Sequence, residues 1–416
     1  MALASDAPRA SFRLGMLIND TRYRSLTIQV VFLTLSVLFF AWLVSNTIYN
    51  LSIKGKDFDF GFLWVRAGYD INQTLIPYTS DSTHGRALFV GLLNTLLLAF
   101  LACVLATVLG IAAGVLRLSK NWIVSRLMAV YVETFRNVPV VVWIVLVNAI
   151  MSNSMPEPKA YKGATPEHTM FLDAIAVTNR GVYMPAPQFS RSLGSFDLGW
   201  FSFNLNFLAI LLVIWGSIWG YKRLQRSATT VQDATGVRPT TWWKSAAILI
   251  LPIVALKFAL GLNFEYPVLK GFNFIGGLQA RNSLVAMWLA LSIYSATYIA
   301  ESVRGGILAI SKGQTEAALA LGLRMGLATR LVVLPQALRV IVPPLISQYL
   351  SITKNTSLAI AVGYMDLRST LGGITMNQTG RELECMLMLM GIYLSVSLII
   401  SAVMNVYNSS IKLKER

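Results

Sequence analysis

Eight stretches of this chain are long and apolar enough to cross a bilayer as helices: 26–49, 87–116, 127–152, 203–221, 245–262, 283–303, 340–362 and 384–408. A spanning helix needs about 20 mostly apolar residues, because the hydrocarbon core is about 30 Å thick and a helix rises about 1.5 Å per residue. Inside that core the backbone finds no water, so a chain must satisfy its own amides within helices or a closed barrel. Eight such stretches predict an all-α polytopic membrane protein. Composition agrees: charged residues are 13% of the 416 and hydrophobic residues 55%, against about 25% charged in soluble domains. The first stretch follows Arg9, Arg13, Arg22 and Arg24, exceeds a signal-peptide core in length and has no small-residue cleavage site, so it reads as an uncleaved anchor.

The formal charge of +16 could by itself indicate nucleic acid or anionic lipid. Its distribution decides. With the N-terminus inside, segments 1–25, 117–126, 222–244, 304–339 and 409–416 hold 20 basic and 5 acidic residues. The opposite segments, 50–86, 153–202, 263–282 and 363–383, hold 12 and 11. Lys and Arg are about twice as dense in the first set, as the positive-inside rule requires. Both termini are therefore expected in the cytoplasm, the charge excess is topological and faces anionic lipid, and no nucleic-acid partner is expected.

Known chemistries are sparse. Cys103 and Cys385 cannot staple a secreted scaffold and read as buried apolar thiols. No metal-ligand spacing occurs, and the only histidines, His84 and His168, fall in external segments and read as surface residues. No catalytic constellation presents itself, and no GxxxxGK[ST] phosphate loop exists to cradle ATP. A membrane-embedded enzyme would have Glu133 and Glu301 at best, so no catalytic residues are assigned. Outside the spans, 153–202 carries MPEPK and AVTNRGVYMPAPQFSRS, whose Pro and Gly predict an ordered loop or short strands. Segment 222–244 reads as a basic linker ending in interfacial Trp242 and Trp243.

Residues 311–335, SKGQTEAALALGLRMGLATRLVVLP, are the most informative. Thr315 to Leu321 predict a short helix ended by Gly322 in the left-handed conformation, and a second short helix runs to Pro335, which cannot continue one. A hairpin presenting Ala317, Ala318, Leu319 and Leu321 makes little sense in free solvent; it fits a plug for a groove in another protein. The spacing resembles the EAA loop of bacterial ABC importer permeases: Glu316-Ala317-Ala318, Gly322 four residues later, then nine residues, Val332 where the family usually has Ile, and Leu334-Pro335. GLLNTLLLAF, GVLRLSKNW, YVETFRNVP, YIAESVRGGI and KNTSLA are similar to the polar-amino-acid subfamily, and VTNRGVYMP within 153–282 resembles the Q-type subunit of general L-amino-acid importers.

That resemblance implies a type I importer permease core over 87–408 with an insertion at about 153–282. It is preceded by a tail, helix and external segment over 1–86 and followed by a tail over 409–416. It implies a bacterial inner-membrane subunit moving L-amino acids from periplasm to cytoplasm. Its partners would be an ATP-binding subunit dimer carrying ATP and Mg, a second permease that is plausibly a paralogue, and a periplasmic amino-acid-binding protein. This chain itself would carry no cofactor or metal. An ion-coupled secondary amino-acid transporter is the alternative, although it has no use for a groove-filling hairpin.

Six charges fall inside the spans: Glu133, Arg136, Lys257, Glu301, Lys354 and Glu384. Each costs about 2.5 to 3.5 kcal/mol facing lipid at a helix centre, so each should face protein or water. Glu133 with Arg136, and Glu301 with Arg304, stand three apart and are expected to pair as braces. Gln348, Ser351 and Asn355 recur at i, i+3 and i+7, with Ser347 and Lys354 beside them, giving a polar stripe that fits either helix packing or a water-filled cavity. Lys354, Asn355, Thr356 and Ser357 are the candidate lining of a translocation path, where an ammonium could meet a substrate carboxylate.

Overall fold

A computed structural model describes residues 15, 18, 20–53, 58–163, 167–197 and 202–411. The chain divides into two compact units, Met1–Phe62 and Leu63–Arg416. The first contains α1 (Thr21–Ile53), whose apolar side chains are exposed along its length, as expected of a helix surrounded by hydrocarbon.

The second unit is built on α2 (His84–Arg117) and, later in the chain, α7 (Asn282–Leu308), which pack along most of their lengths. Their facing surfaces explain the contact. Ala102, Ala106, Gly110, Ala113 and Gly114 line α2, so the backbones approach closely, which is how helices associate in lipid. A Cβ on Gly110 would fall 2.6 Å from Ile299 and 2.9 Å from the Ala296 carbonyl. Leu98, Ile144, Met287, Leu291, Ile299 and Ile352 form the centre of the core.

Between these helices lie α3 (Trp122–Asn137) and α4 (Val140–Asn153), joined through Val138 and Pro139 at a bend of 105°. The single straight span expected over 127–152 is thus corrected. The residue before a proline is pushed out of helical conformation, and Val138 has φ −108° and ψ 134°.

After α4 the chain enters short strands: β1 (Ala176–Thr178), β2 (Gly181–Met184), β3 (Ala186–Phe189), β4 (Ser195–Asp197) and β5 (Ser202–Asn204). Two helices follow, α5 (Leu205–Thr235) and α6 (Trp242–Leu260), then β6 (Leu262–Glu265), β7 (Val268–Lys270), β8 (Asn273–Ile275) and β9 (Leu278–Arg281). The strands before and after the helix pair join: β1-β2-β9 form one antiparallel sheet, and β3 pairs with β6. Gly181, at φ 134° and with the Ala280 carbonyl oxygen 2.3 Å from where its Cβ would sit, permits the β2–β9 approach. The basic linker expected at 222–244 is instead helical as far as Thr235. Nothing between Tyr221 and Gly236 breaks the helix, and Gly236 at φ 72° ends it.

The chain continues from α7 through α8 (Lys312–Ala320) and α9 (Met325–Ala328), then a π turn (Thr329–Val333) into α10 (Leu334–Asn355). Pro335 therefore opens a helix rather than ending one. It stands in the first turn, where its missing N–H is not needed, and the π turn feeds into it through the Leu334 amide donating to the Thr329 carbonyl. A 3-10 turn (Thr356–Val362), α11 (Leu367–Ser369), a second π turn (Thr370–Thr375), α12 (Met376–Thr379) and α13 (Glu382–Ile411) complete the chain. Among the described residues seven helices are long and apolar enough to span, or eight with the bent α3–α4 pair.

Candidate coupling hairpin and polar helix face

The α8–α9 hairpin hangs from the end of α7. Helix α8 closes with two crossed hydrogen bonds, the Gly322 amide to the Leu319 carbonyl at 2.9 Å and the Leu323 amide to the Ala318 carbonyl at 3.2 Å. This pattern requires a left-handed residue at Gly322, whose φ is 81°. Glu316, Ala317, Leu319, Ala320 and Gly322 are exposed, and Leu321 retains 83% of its surface. Ala318 departs from the expected presentation: it is buried and, with Ala328, forms the inside of the hairpin. The Gln336 amide donates to Gln314 Oε1 at 3.3 Å, fastening the hairpin to α10, where Leu334 and Pro335 are exposed beside it. An exposed apolar tip on a capped and fastened hairpin is a surface shaped for a complementary groove.

Helix α10 carries the polar stripe on one open face. Ser347, Ser351 and Lys354 are exposed, and Gln348 and Asn355 are half-buried at its shoulder. The opposite face is sealed by Ile346, Ile352 and Thr353, and by the Tyr349 hydroxyl 2.8 Å from Thr107 Oγ1. Lys354 has no carboxylate partner among the described residues. Immediately beyond it the α-helix gives way to the 3-10 turn. Thr356 is fully buried, its hydroxyl donating to the Thr353 carbonyl at 2.7 Å, so it does not open onto the stripe. Ser357 is half-buried and donates to the Lys354 carbonyl at 2.8 Å.

Charges gather where α2, α3 and α7 meet. Arg117 bonds Glu301, with Glu133 3.4 Å away, and Arg304 reaches Glu301 at 2.5 Å. The expected Glu301–Arg304 brace is present. The expected Glu133–Arg136 pair is not among the described ion pairs: Arg117 takes Glu133, and Arg136 lies 5.1 Å from the centre of the Tyr298 ring. Arg117 escaped notice because it ends a span rather than lying within one. Glu384 is matched by Arg381 at 3.3 Å, and Lys257 is exposed one turn from the end of α6, where it can extend towards the interface.

At the other end of the bundle, residues 63–83 and 364–379 close over α2. Asn94 donates to the Gln73 and Met365 carbonyls at 2.8 and 2.9 Å, and Gln73 in turn accepts from the Arg281 amide at 3.3 Å. His84 corrects its surface reading. It opens α2 at 3% exposure, with Nδ1 3.0 Å from Thr375 Oγ1, although His168 is exposed. On the strand platform, burial raises the Tyr183 pKa, so its hydroxyl stays a donor to Asn273 at 2.7 Å.

Residues 106–413 match the family described as "Binding-protein-dependent transport system inner membrane component". Over its full length the chain is 60% identical to the full length of the glutamate/glutamine/aspartate/asparagine transport system permease protein BztB of Rhodobacter capsulatus. It is 41% identical to the general L-amino acid transport system permease protein AapQ of Rhizobium johnstonii, over 98% of this chain and 96% of that one. It is also 35% identical to BztC, a permease protein of the same Rhodobacter capsulatus system as BztB, over 28% of this chain and 25% of that one.

Proposed function

Because this chain belongs to the binding-protein-dependent transport system inner membrane component family, and is the permease subunit of an amino-acid ABC importer, we infer that its α8–α9 hairpin is the seat of a separate ATP-hydrolysing subunit. The observation that carries the reading is the tip Glu316–Gly322, exposed except at Ala318 and set beyond the end of α7, the most buried of the candidate spans. Closure of a dimeric ATPase, which holds ATP and Mg, pulls the hairpin, and the displacement passes into α7 and, through Glu301 and Arg117, into α2. No residue of this chain performs chemistry. The ion-coupled alternative has no support in the family.

The stripe of Ser347, Gln348, Ser351, Lys354 and Asn355 lines the path where this chain meets a second permease. The Lys354 ammonium offers the substrate carboxylate its charge-assisted hydrogen bond, and Asn355 and Ser357 offer neutral partners. BztB and BztC are two permeases of one system, which supports a heterodimer here. A periplasmic binding protein delivers the substrate to the face formed by 63–83, 364–379 and the strand platform, with both termini in the cytoplasm of a bacterial inner membrane. The names of the relatives point to glutamate, glutamine, aspartate and asparagine first, among a wider range of L-amino acids.

Copurification from the native membrane tests this directly. An ATPase, a second permease and, with substrate, a binding protein should accompany the tagged chain, and vesicles holding the assembly should accumulate labelled glutamate only with internal ATP. Isolation without an ATPase, or uptake driven by a proton gradient alone, would overturn it.

A further inference from the structure

The hairpin of α5 and α6 packs chiefly on itself and on the strand platform, and one of its ends gathers five exposed cations. Lys222, Arg223 and Arg226 project from α5, Arg238 from the connecting turn and Lys244 from the start of α6, all exposed. They are gathered by a polar clasp. Gln225 Oε1 accepts from Arg238 at 2.8 Å, and Gln225 Nε2 donates to Ser245 at 3.2 Å, which holds the turn and the start of α6 against α5. Segment 222–244 contains one acid, Asp233. None of the five cations appears among the described ion pairs.

The indoles mark the depth. Arg223 lies 5.4 Å from the centre of the Trp219 ring, and Lys244 is 5.4 Å from that of Trp243. Trp242 keeps 77% of its surface. Tryptophan settles at the headgroup level, with its ring against acyl chains and its N–H in the polar layer. Cations stacked on indoles at that level stand among lipid phosphates, and a phosphodiester is the complement that the clasp leaves open. A protein partner would instead have to present carboxylates at this same depth, where lipid phosphates already compete for the cations.

We infer that the α5–α6 end formed by Lys222, Arg223, Arg226, Arg238 and Lys244 is a binding site for anionic phospholipid headgroups, anchoring the hairpin that carries the strand platform. The site concerns the hairpin alone and stands independently of the import reading.

The test uses the full chain, purified in mild detergent and supplied with phosphatidylglycerol or phosphatidylcholine, with bound lipid read by native mass spectrometry. Phosphatidylglycerol should be retained in preference, and its retention should fall as salt is raised. Each single Gln substitution of a cation should weaken it about fivefold. K222Q/R223Q/R226Q/R238Q/K244Q should abolish the preference with phosphatidylcholine retention unchanged, and K222R/K244R should preserve it. Equal retention of the two lipids by the natural chain, retention indifferent to salt, or a quintuple variant that still prefers phosphatidylglycerol would each overturn the site. So would a photo-crosslinker at position 226 that captures a protein instead of lipid in native membranes. The salt and lipid comparisons on the natural chain stand even if the quintuple variant misfolds.

Discussion

Arg117, at the last turn of α2, and Glu301, about two turns before the end of α7, form an ion pair across the close α2–α7 contact. Their side chains keep 16% and 31% of their surface, so the pair is only partly screened by water. Glu301 is held a second time by Arg304 at 2.5 Å, and Arg117 also faces Glu133 on α3. Three helices therefore share one charge network at the level from which the hairpin departs.

Arg117→Ala should destabilise the chain by about 2 kcal/mol, the usual loss for a hydrogen-bonded charge that keeps part of its solvation. Glu301→Gln should cost less, because the amide retains one acceptor for Arg304. Thermal unfolding in detergent would check both, and a double-mutant cycle should show coupling. Additive losses would mean that the two charges act independently.

Gly322 stands in open space, with no atom within 4 Å of a Cβ built on it, so the demand for glycine is conformational alone. Gly322→Asn should keep most of the ATPase stimulation by loaded binding protein, since Asn tolerates left-handed backbone. Gly322→Val should cost about 1 to 2 kcal/mol locally and abolish stimulation. Glu316→Lys should also uncouple, with the chain still folded. Equal stimulation of the assembly by all three would remove the hairpin from the coupling route.

Two glycines of spanning helices should respond oppositely to the same change. Gly110→Ala places a methyl where Ile299 already sits and should lose about 1 to 3 kcal/mol. Gly216→Ala, on α5, meets nothing within 4 Å and should be neutral or slightly stabilising. Detergent melting curves of the pair would decide it, and equal losses would contradict the close α2–α7 approach.

On α10, Lys354→Ala should lower uptake at least tenfold, and Asn355→Ala less, at normal expression and normal assembly. Thr356→Val removes a buried hydroxyl that donates to the Thr353 carbonyl and also meets the Tyr393 hydroxyl, so it should cost about 1 to 2 kcal/mol of stability and leave the substrate KM unchanged. Labelled glutamate uptake in vesicles would separate the three; a KM shift at Thr356 matching that at Lys354 would place the path elsewhere.

Hydropathy made the spans legible because lipid leaves a helix no other way to hide its amides. It could not reveal the 105° bend at Pro139, since the two limbs taken together are apolar enough to read as one span, nor the extension of α5 to Thr235, since polar composition does not end a helix. The left-handed stop at Gly322 was readable because glycine chemistry is local. The Arg117–Glu301 contact joins residues 184 apart, and the β2–β9 register joins Gly181 to Arg281; neither leaves a local trace. Ala318 shows the limit on the hairpin itself, since a small apolar residue fits its inside as readily as its outside.

The Asn179 carbonyl accepts from the side-chain amide of Asn282, the first residue of α7, and the Asn179 backbone N–H donates to the Pro156 carbonyl just beyond α4, at 2.9 Å. Departure and return of the chain thus meet at one residue, and the strands and helix pair leave and rejoin the helical bundle at a single place. If this region is an insertion, a variant in which it is replaced as a unit should still fold and melt cooperatively.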